Sequence, residues 1–340
     1  MSSPFVTRPL PLEVRPTVLI LGANGRLGTA AAQAFDAAGW RVLAQVRREP
    51  ASGLPRSATP LRAGLTDSAG LADAARGARV VIHAVNPVYT RWDAEAMPAL
   101  QAGLDLAERL GAHFILPGNV YNFGAGMPAL LGENTPQRPT TRKGEIRVAM
   151  ERLIEQRSAS GRFTASVVRA GDFFGAGTGN WFDQAIVKSL RAGKLVYPGP
   201  LDRAHAWAYL PDLARAFVRV AQQTDRAPFS CWHFEGHTLT GAELLAVIEA
   251  EATSLGLAPV HGFRRGRLPW GLIAAMGVVV PLWRELARMR YLWEVPHALD
   301  GQRLAALASP VSPSTPIHAA VRESLLALGL SAPALGQPAH

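Results

Sequence analysis

Glycines at Gly22, Gly25 and Gly28 punctuate the run VLILGANGRLG, between a short apolar stretch and the alanine-rich pattern TAAAQAFDAAG. The order is that of a phosphate cradle. A buried strand must stop abruptly, the first glycine permits the tight turn, the second lets backbone N–H groups approach a pyrophosphate, and the third lets the following helix lie close on the strand. Three glycines alone are a weak signal, but a strand before and a helix after them supply the context that a dinucleotide site requires. Gly22, Asn24, Gly25, Arg26, Leu27 and Gly28 are therefore the expected cofactor cradle. The second apolar run, WRVLAQV, ends in Arg47 and Arg48, and Glu49 comes later than the position where an acidic residue would accept a ribose 2′-hydroxyl. Arginines there suit the extra phosphate of NADP, so NADP(H) is favoured over NAD(H), with Arg26 as a second phosphate contact.

Other chemistry-bearing residues cluster after apolar runs. Asn86 and Pro87 open the loop after the run Arg79 to Ala84, where ligands of open α/β sheets collect. Asp172, Phe173 and Phe174 follow the run Thr164 to Arg169, where they either fence a ligand or pack. His205, Trp207 and Tyr209 alternate, so they share one face of a strand, as a pocket lining or as core. His83, inside an apolar run, reads as a hydrogen-bonded core histidine, and Asp212 as a helix cap. Trp270, Trp283, Tyr291 and Trp293 suggest an apolar cover suited to a substrate less polar than a nucleotide sugar. The single cysteine, Cys231, excludes an intramolecular disulfide and a cysteine-based metal site, and no metal is expected.

These residues need a frame. Apolar runs alternate with helical patterns, the signature of a parallel sheet covered on both faces. The expected strands are Trp40 to Val46, Thr59 to Arg62, Arg79 to Ala84, His113 to Pro117 and Thr164 to Arg169, with helices from about Asp93 to Leu110 and about Arg142 to Gln156. Residues 17–174 form the expected nucleotide domain. A strand at His205 to Tyr209 and a helix from Asp212 return to its sheet, so that 205–235 rejoin it. Residues 175–204 and 236–330 form a second, substrate-binding lobe, in which Thr240 with Glu243 three residues later predicts a capping box. The chain has 340 residues and a formal charge of +9, but 35 − 3 = 32 of its basic residues are scattered arginines, and no nucleic-acid partner is expected. The N-terminal run MSSPFVTRPLPLEVRP is broken by prolines where a signal peptide needs continuity, so it reads as an irregular lead-in and a cytoplasmic location is expected. The segment Leu268 to Trp283 is too short and too punctuated to span a membrane, and reads as a buried helix or a hydrophobic lid in preference to a membrane contact, so no membrane partner is expected.

With the glycine loop and the alternation in hand, the chain resembles an atypical extended short-chain dehydrogenase/reductase, of the epimerase/dehydratase superfamily. GANGRLG resembles the family's cofactor loop, and LTD from Leu65 the segment passing the adenine. VVIHAVNP, with Ala84, Val85 and Asn86, resembles the fourth strand and its turn; VYNFG from Val120 resembles the post-strand VYG signature; and RAGDFFG, with Ala170, Asp172 and Phe173, resembles the stretch around the nicotinamide. The resemblance implies a Rossmann-type doubly wound α/β sheet with a smaller, mixed, mainly helical C-terminal lobe. It also implies a serine, tyrosine and lysine for catalysis, the last two as Y-x-x-x-K. In this chain Pro117 falls at the serine, Lys143 at the tyrosine and Arg147 at the lysine, with Glu151 at the acidic position beyond.

Two explanations stand side by side. In one, Lys143 donates a proton or binds an anion, Arg147 holds the cofactor ribose or phosphate, and Asn119 or Tyr121 supplies the lost hydroxyl's bond, with Pro87, Asn119, Phe174, His205, Trp207 and Tyr209 facing substrate. In the other, Lys143 and Arg147 are a solvated helix face. Lysine is rare in this chain and, unlike arginine, can lose its proton when desolvated, which favours a specific role. The expected function is hydride transfer on a small carbonyl or hydroxyl substrate. Alternatives are a non-catalytic NADP(H)-binding regulatory or sensor protein, and a sugar-nucleotide epimerase/dehydratase, which the missing tyrosine weakens. The family implies a homodimer through two long helices.

Overall fold

A computed structural model describes residues 15–175, 177–307 and 314–331. The proline-rich lead-in before residue 15 and the tail beyond Ser331 lie outside the described residues. Strand Thr17–Leu21 is buried along its whole length and pairs with Arg41–Val46 on one side and Ala78–His83 on the other. Around it runs a seven-stranded sheet in the order Phe229–His233, Ala165–Arg169, His113–Gly118, Ala78–His83, Thr17–Leu21, Arg41–Val46, Thr59–Arg62. Every pairing in it is parallel. Continuous apolar runs form these strands because both faces are covered. On one face, helix Arg26–Ala37 packs beside helix Leu210–Ala221 through Ala30, Ala31, Phe35, Leu213 and Phe217. On the other lie Ser68–Ala74, Trp92–Leu110 and Arg142–Ser158, burying Leu71, Leu100, Leu104, Ile146 and Ile154. Each large apolar side chain so buried contributes roughly 1.5–3 kcal/mol against chain entropy. Strand order reverses between Thr17–Leu21 and Ala78–His83, which opens a crevice at the carboxyl ends of the central strands.

The strand predicted at His205 to Tyr209 exists, as Ala204–Tyr209, but it does not join this sheet. It sits in a separate three-stranded sheet, parallel to Asp172–Phe174 and antiparallel to His237–Thr240. The return is made instead by helix Leu210–Ala221 and by strand Phe229–His233 at the sheet edge. Asp212 is not the cap of that helix, since Tyr209 holds the N-cap position. Its buried carboxylate instead accepts bonds from the Thr315 backbone N–H (2.7 Å) and hydroxyl (2.8 Å), tying in the C-terminal segment.

Helix Gly241–Ser254 carries the predicted capping box and packs against helix Ile317–Ala327 in an aromatic-rich core with Phe174, Tyr197, Trp207 and Trp293. Leu268 to Trp283 is not a buried helix. It folds as the short helix Trp270–Met276, a turn, and the start of helix Pro281–Arg288, and no residue of either helix is buried. No helix among the described residues is long and apolar enough to cross a membrane.

Candidate cofactor and active site

At the crevice, Gly22 has φ +75°, and a side chain there would meet the Ala84 carbonyl at 3.1 Å, which places Ala84 and Val85 against the glycine turn. A methyl group at Gly28 would lie 2.4 Å from the Gly22 carbonyl oxygen, so only glycine lets the helix seat on the strand. Helix Arg26–Ala37 has Gly25 as its N-cap with no side-chain cap, leaving first-turn N–H groups for an anion. The Gly22 N–H donates to buried Gln45 (2.9 Å), whose amide donates to the Ala63 carbonyl (2.6 Å), which fixes the turn. Arg26 lies under the Gly177 and Gly179 segment, and its Nη1 is buried without a hydrogen-bond partner. Burial lowers its pKa, against a raising contribution from Asp183. Asp183 itself knits the covering loop by accepting the Gly179 and Asn180 N–H groups, each at 2.7 Å.

Asn24 is used differently from the expectation. Its side chain clasps the loop after the second strand, donating to the Glu49 carbonyl (2.7 Å) and accepting from Ala51 N–H (2.8 Å). Glu49 pairs with Arg62, which leaves the exposed Arg47 and Arg48 at the strand end. Leu65 is half-buried, while Asn86 is exposed at the crevice mouth. A glycine turn closed to side chains, an uncapped helix start and an orphaned guanidinium nitrogen together fit a dinucleotide phosphate.

The second cluster stands at the carboxyl ends of Ala78–His83, His113–Gly118 and Ala165–Arg169. Helix Arg142–Ser158 starts against the Tyr121 loop because Gly144 passes the Tyr121 carbonyl where a Cβ would come to 2.5 Å. This brings Lys143 and Arg147 to the site, so neither is a solvated helix face. Lys143 is buried, forms an ion pair with Glu285 of helix Pro281–Arg288, and holds its Nζ 4.2 Å from the Tyr89 ring centroid. Arg147 donates to the Pro117 carbonyl (3.0 Å), lies 4.8 Å from the Trp92 ring, and has a buried Nε with no hydrogen-bond partner. No carboxylate pairs with it among the described residues, and burial lowers its pKa. Asn119 uses its Oδ1 to accept the Tyr121 N–H (3.0 Å).

Three phenols converge here: Tyr89, Tyr121 and Tyr291 pack around one small cluster with Val120, Met289 and Leu292. Burial, then Asp172, pushes Tyr121 up to about 12, with Tyr89 and Arg147 pulling the other way. Burial likewise raises Tyr89 and Tyr291 above the ordinary phenol value, with Tyr121 the next cause in each. Asp172 reaches this cluster because Gly171 passes so close to the Ala206 carbonyl that a Cβ would lie 2.1 Å from its oxygen. It pairs with His205 Nε2 (2.9 Å), whose Nδ1 faces the Leu292 carbonyl (3.2 Å) and whose ring stacks 4.3 Å from Trp293. Both ring nitrogens thus face oxygen atoms, which fixes the ring's orientation.

A model of the NAD-dependent epimerase/dehydratase family matches residues 18–230. The chain belongs to that family. Among solved structures it is similar to MoeE5 in complex with UDP-glucuronic acid and NAD, at 17% identity over 92% of this chain and 99% of that one, with a TM-score of 0.69. UDP-glucose 4-epimerase of Thermotoga maritima, in complex with UDP-glucose, gives 13% identity over 92% and 98%, with a TM-score of 0.69. TunA, an NAD-dependent NDP-hexosamine 5,6-dehydratase of tunicamycin biosynthesis, gives 18% over 93% and 98%, with a TM-score of 0.66. Among curated proteins nothing matches.

In this epimerase/dehydratase-family chain several expected site residues lie elsewhere. Phe174, Trp207 and Tyr209 are buried in the core of the second lobe, where Phe174 packs edge-on to Trp207 (6.3 Å) and against Tyr209 (5.3 Å). Alternation placed Trp207 and Tyr209 on one face with His205, as pocket lining or as core, and Trp293 packs on that face against His205 and Trp207. Phe173 packs against the first core face, and Ala170 is fully buried. The Pro87 carbonyl accepts the Trp92 indole N–H (3.2 Å). His83 is core as expected, but its Nδ1 lacks a hydrogen-bond partner, and burial lowers it to about 3. Glu151 is structural, in a buried pair with Arg169 (2.6 Å). Tyr89, Asp183 and Glu285 were not legible as site residues, because no local spacing marks them, whereas Tyr291, expected in an apolar cover, stands in the phenol cluster. A depression at the opposite end of the sheet, lined by Ala78, His113, Thr164 and Arg226, lies at the amino ends of the strands, away from where such sheets bind ligands. No metal-binding cluster occurs among the described residues.

Proposed function

We propose that this chain is an NADP(H)-dependent reductase of a small, weakly polar carbonyl compound, with Tyr121 as the proton donor and residues 175–204 and 236–330 as the substrate lobe. When bound, the nicotinamide supplies the hydride. The observation carrying the reading is Tyr121, a partly buried phenol placed with Tyr89 and Tyr291 just after the strand His113–Gly118, at the carboxyl end of the sheet. Tyr121 keeps its phenolic proton at neutral pH, and a carbonyl accepting hydride needs a proton at its developing alkoxide, a much stronger base than a phenolate. Lys143 is not the donor in this reading, because Glu285 already satisfies its charge; it positions Tyr89, which interacts with Tyr121. Arg47, Arg48 and Arg26 support NADP(H) over NAD(H). The aromatic surroundings favour a substrate less polar than the sugar nucleotides named for similar structures. A homodimer through the outer faces of helices Trp92–Leu110 and Arg142–Ser158 belongs to the same proposal, and light scattering would measure it.

One observation favours a second reading, non-catalytic NADP(H) binding: the Lys143–Glu285 pair leaves no free cation where the family places its tyrosine. A panel of aldehydes and ketones followed by NADPH absorbance separates the two. Carbonyl-dependent NADPH consumption supports the reductase, and retained NADPH affinity with no turnover on any compound supports the binding protein.

A further inference from the structure

The helical hairpin made by Trp270–Met276 and Pro281–Arg288 projects apolar side chains that nothing in the fold covers. Leu272, Val278, Val279 and Leu282 are 57%, 82%, 71% and 45% exposed, and Met276 stands beside them. Scattered exposed apolar residues are ordinary, but a contiguous set on one tip marks an interaction surface. The hairpin is well formed rather than frayed: Gly277 seats against the Arg284 backbone, where a Cβ would come to 2.9 Å, and Trp270 anchors its base by donating to the Pro198 carbonyl.

The charge around this tip is one-signed. From Leu268 to Trp283 there is no charged residue, and the flanks carry Arg264, Arg265, Arg267, Arg284, Arg288 and Arg290. Between Arg264 and Arg290 the sole acid is Glu285, which is turned inward to Lys143 and only 14% exposed. Arg265 is engaged by Glu249, Arg290 by Glu294, and Arg288 (2.9 Å) and Arg284 (4.0 Å) by the same Glu285, whereas Arg264 and Arg267 make no ion pair among the described residues and supply the unpaired part of the rim. An apolar tip with a cationic rim has the chemistry of an interfacial anchor, in which valine and leucine enter the acyl boundary while arginines meet lipid phosphates. A second copy of the chain is a poorer occupant, because a symmetric contact would bring two arginine rims together.

We propose that this hairpin docks the protein peripherally on anionic phospholipid bilayers, lying on the surface without spanning it. The full-length chain would be sedimented with vesicles of phosphatidylcholine alone and of phosphatidylcholine mixed with phosphatidylglycerol, at low and high salt. Binding is expected to the mixed vesicles and to weaken with salt, while the V278D/V279D double variant is expected to lose at least about tenfold in affinity. Both valines are exposed, so the variant should keep the parent's thermal melt. A control substitution on another exposed apolar residue, Leu326→Asp, should leave vesicle binding unchanged. The proposal is overturned by absence of binding to the mixed vesicles, by equal binding to both lipids, by unaltered binding of the double variant, or by a lipid-free dimer that the double variant dissolves in a chain that ignores vesicles.

Discussion

Arg47 stands exposed at the end of its strand, with its acidic neighbour Glu49 drawn away to Arg62, and this makes cofactor choice a single-residue question. A charge-assisted bond to a 2′-phosphate contributes about 1.5–3 kcal/mol. Arg47→Ala is therefore expected to weaken NADPH binding by roughly 10- to 100-fold while leaving NADH nearly unchanged, as measured by paired fluorescence titrations. An unchanged ratio of the two affinities would remove Arg47 from the site. The expectation for Arg47 rests on its position just after the second strand, where the structure leaves it exposed. Lys143 was legible as unusual, being a lysine in an arginine-rich chain, but its fate was not: Glu285, 142 residues away, decides it. The same holds for Asp172, whose hydrogen-bond partner His205 was read as a pocket lining or as core.

The glycine turn shows how far an element can be read from its residues. Every role assigned to its first and third glycines is present in the geometry, because a strand, a reversal and a close-packed helix leave almost no room for alternatives. Gly28→Ala is accordingly expected to cost about 1–3 kcal/mol in denaturant melts, through the clash with the Gly22 carbonyl, and to weaken NADPH binding as well. Destabilisation with unimpaired cofactor affinity would place the phosphates elsewhere. The central strands of the main sheet were equally legible, since burial on both faces turns each into an apolar run, while the edge strands Thr59–Arg62 and Phe229–His233 are more exposed and more polar. Which sheet a strand joins was not legible: Ala204–Tyr209 has the same run-like pattern but pairs with Asp172–Phe174. Burial of Leu268 to Trp283 was inferred from composition, and composition cannot say whether an apolar segment faces inward or outward.

Across the whole molecule, four buried histidines set an acid limit on stability. His83 and His113 are lowered to about 3, and His233 and His297 to about 4, each chiefly because burial penalises the charged ring. The unfolded chain takes up these protons near the ordinary value of 6.5, before the folded chain does, so it binds more protons through the interval below that value. Stability is therefore full above pH 6.5 and falls as pH drops from there toward about 4. A melting temperature unchanged between neutral pH and about pH 4.5 would contradict these burials. At this same scale the main sheet and the segments packed over its carboxyl end bring Tyr121 into a partly buried cluster with Tyr89 and Tyr291, and the proposed reduction depends on it. The decisive comparison is the rate of NADPH-dependent carbonyl reduction by the parent protein and by Tyr121→Phe. The account predicts a loss of about 100-fold or more with an unchanged NADPH dissociation constant. Equal rates in the two proteins would contradict it.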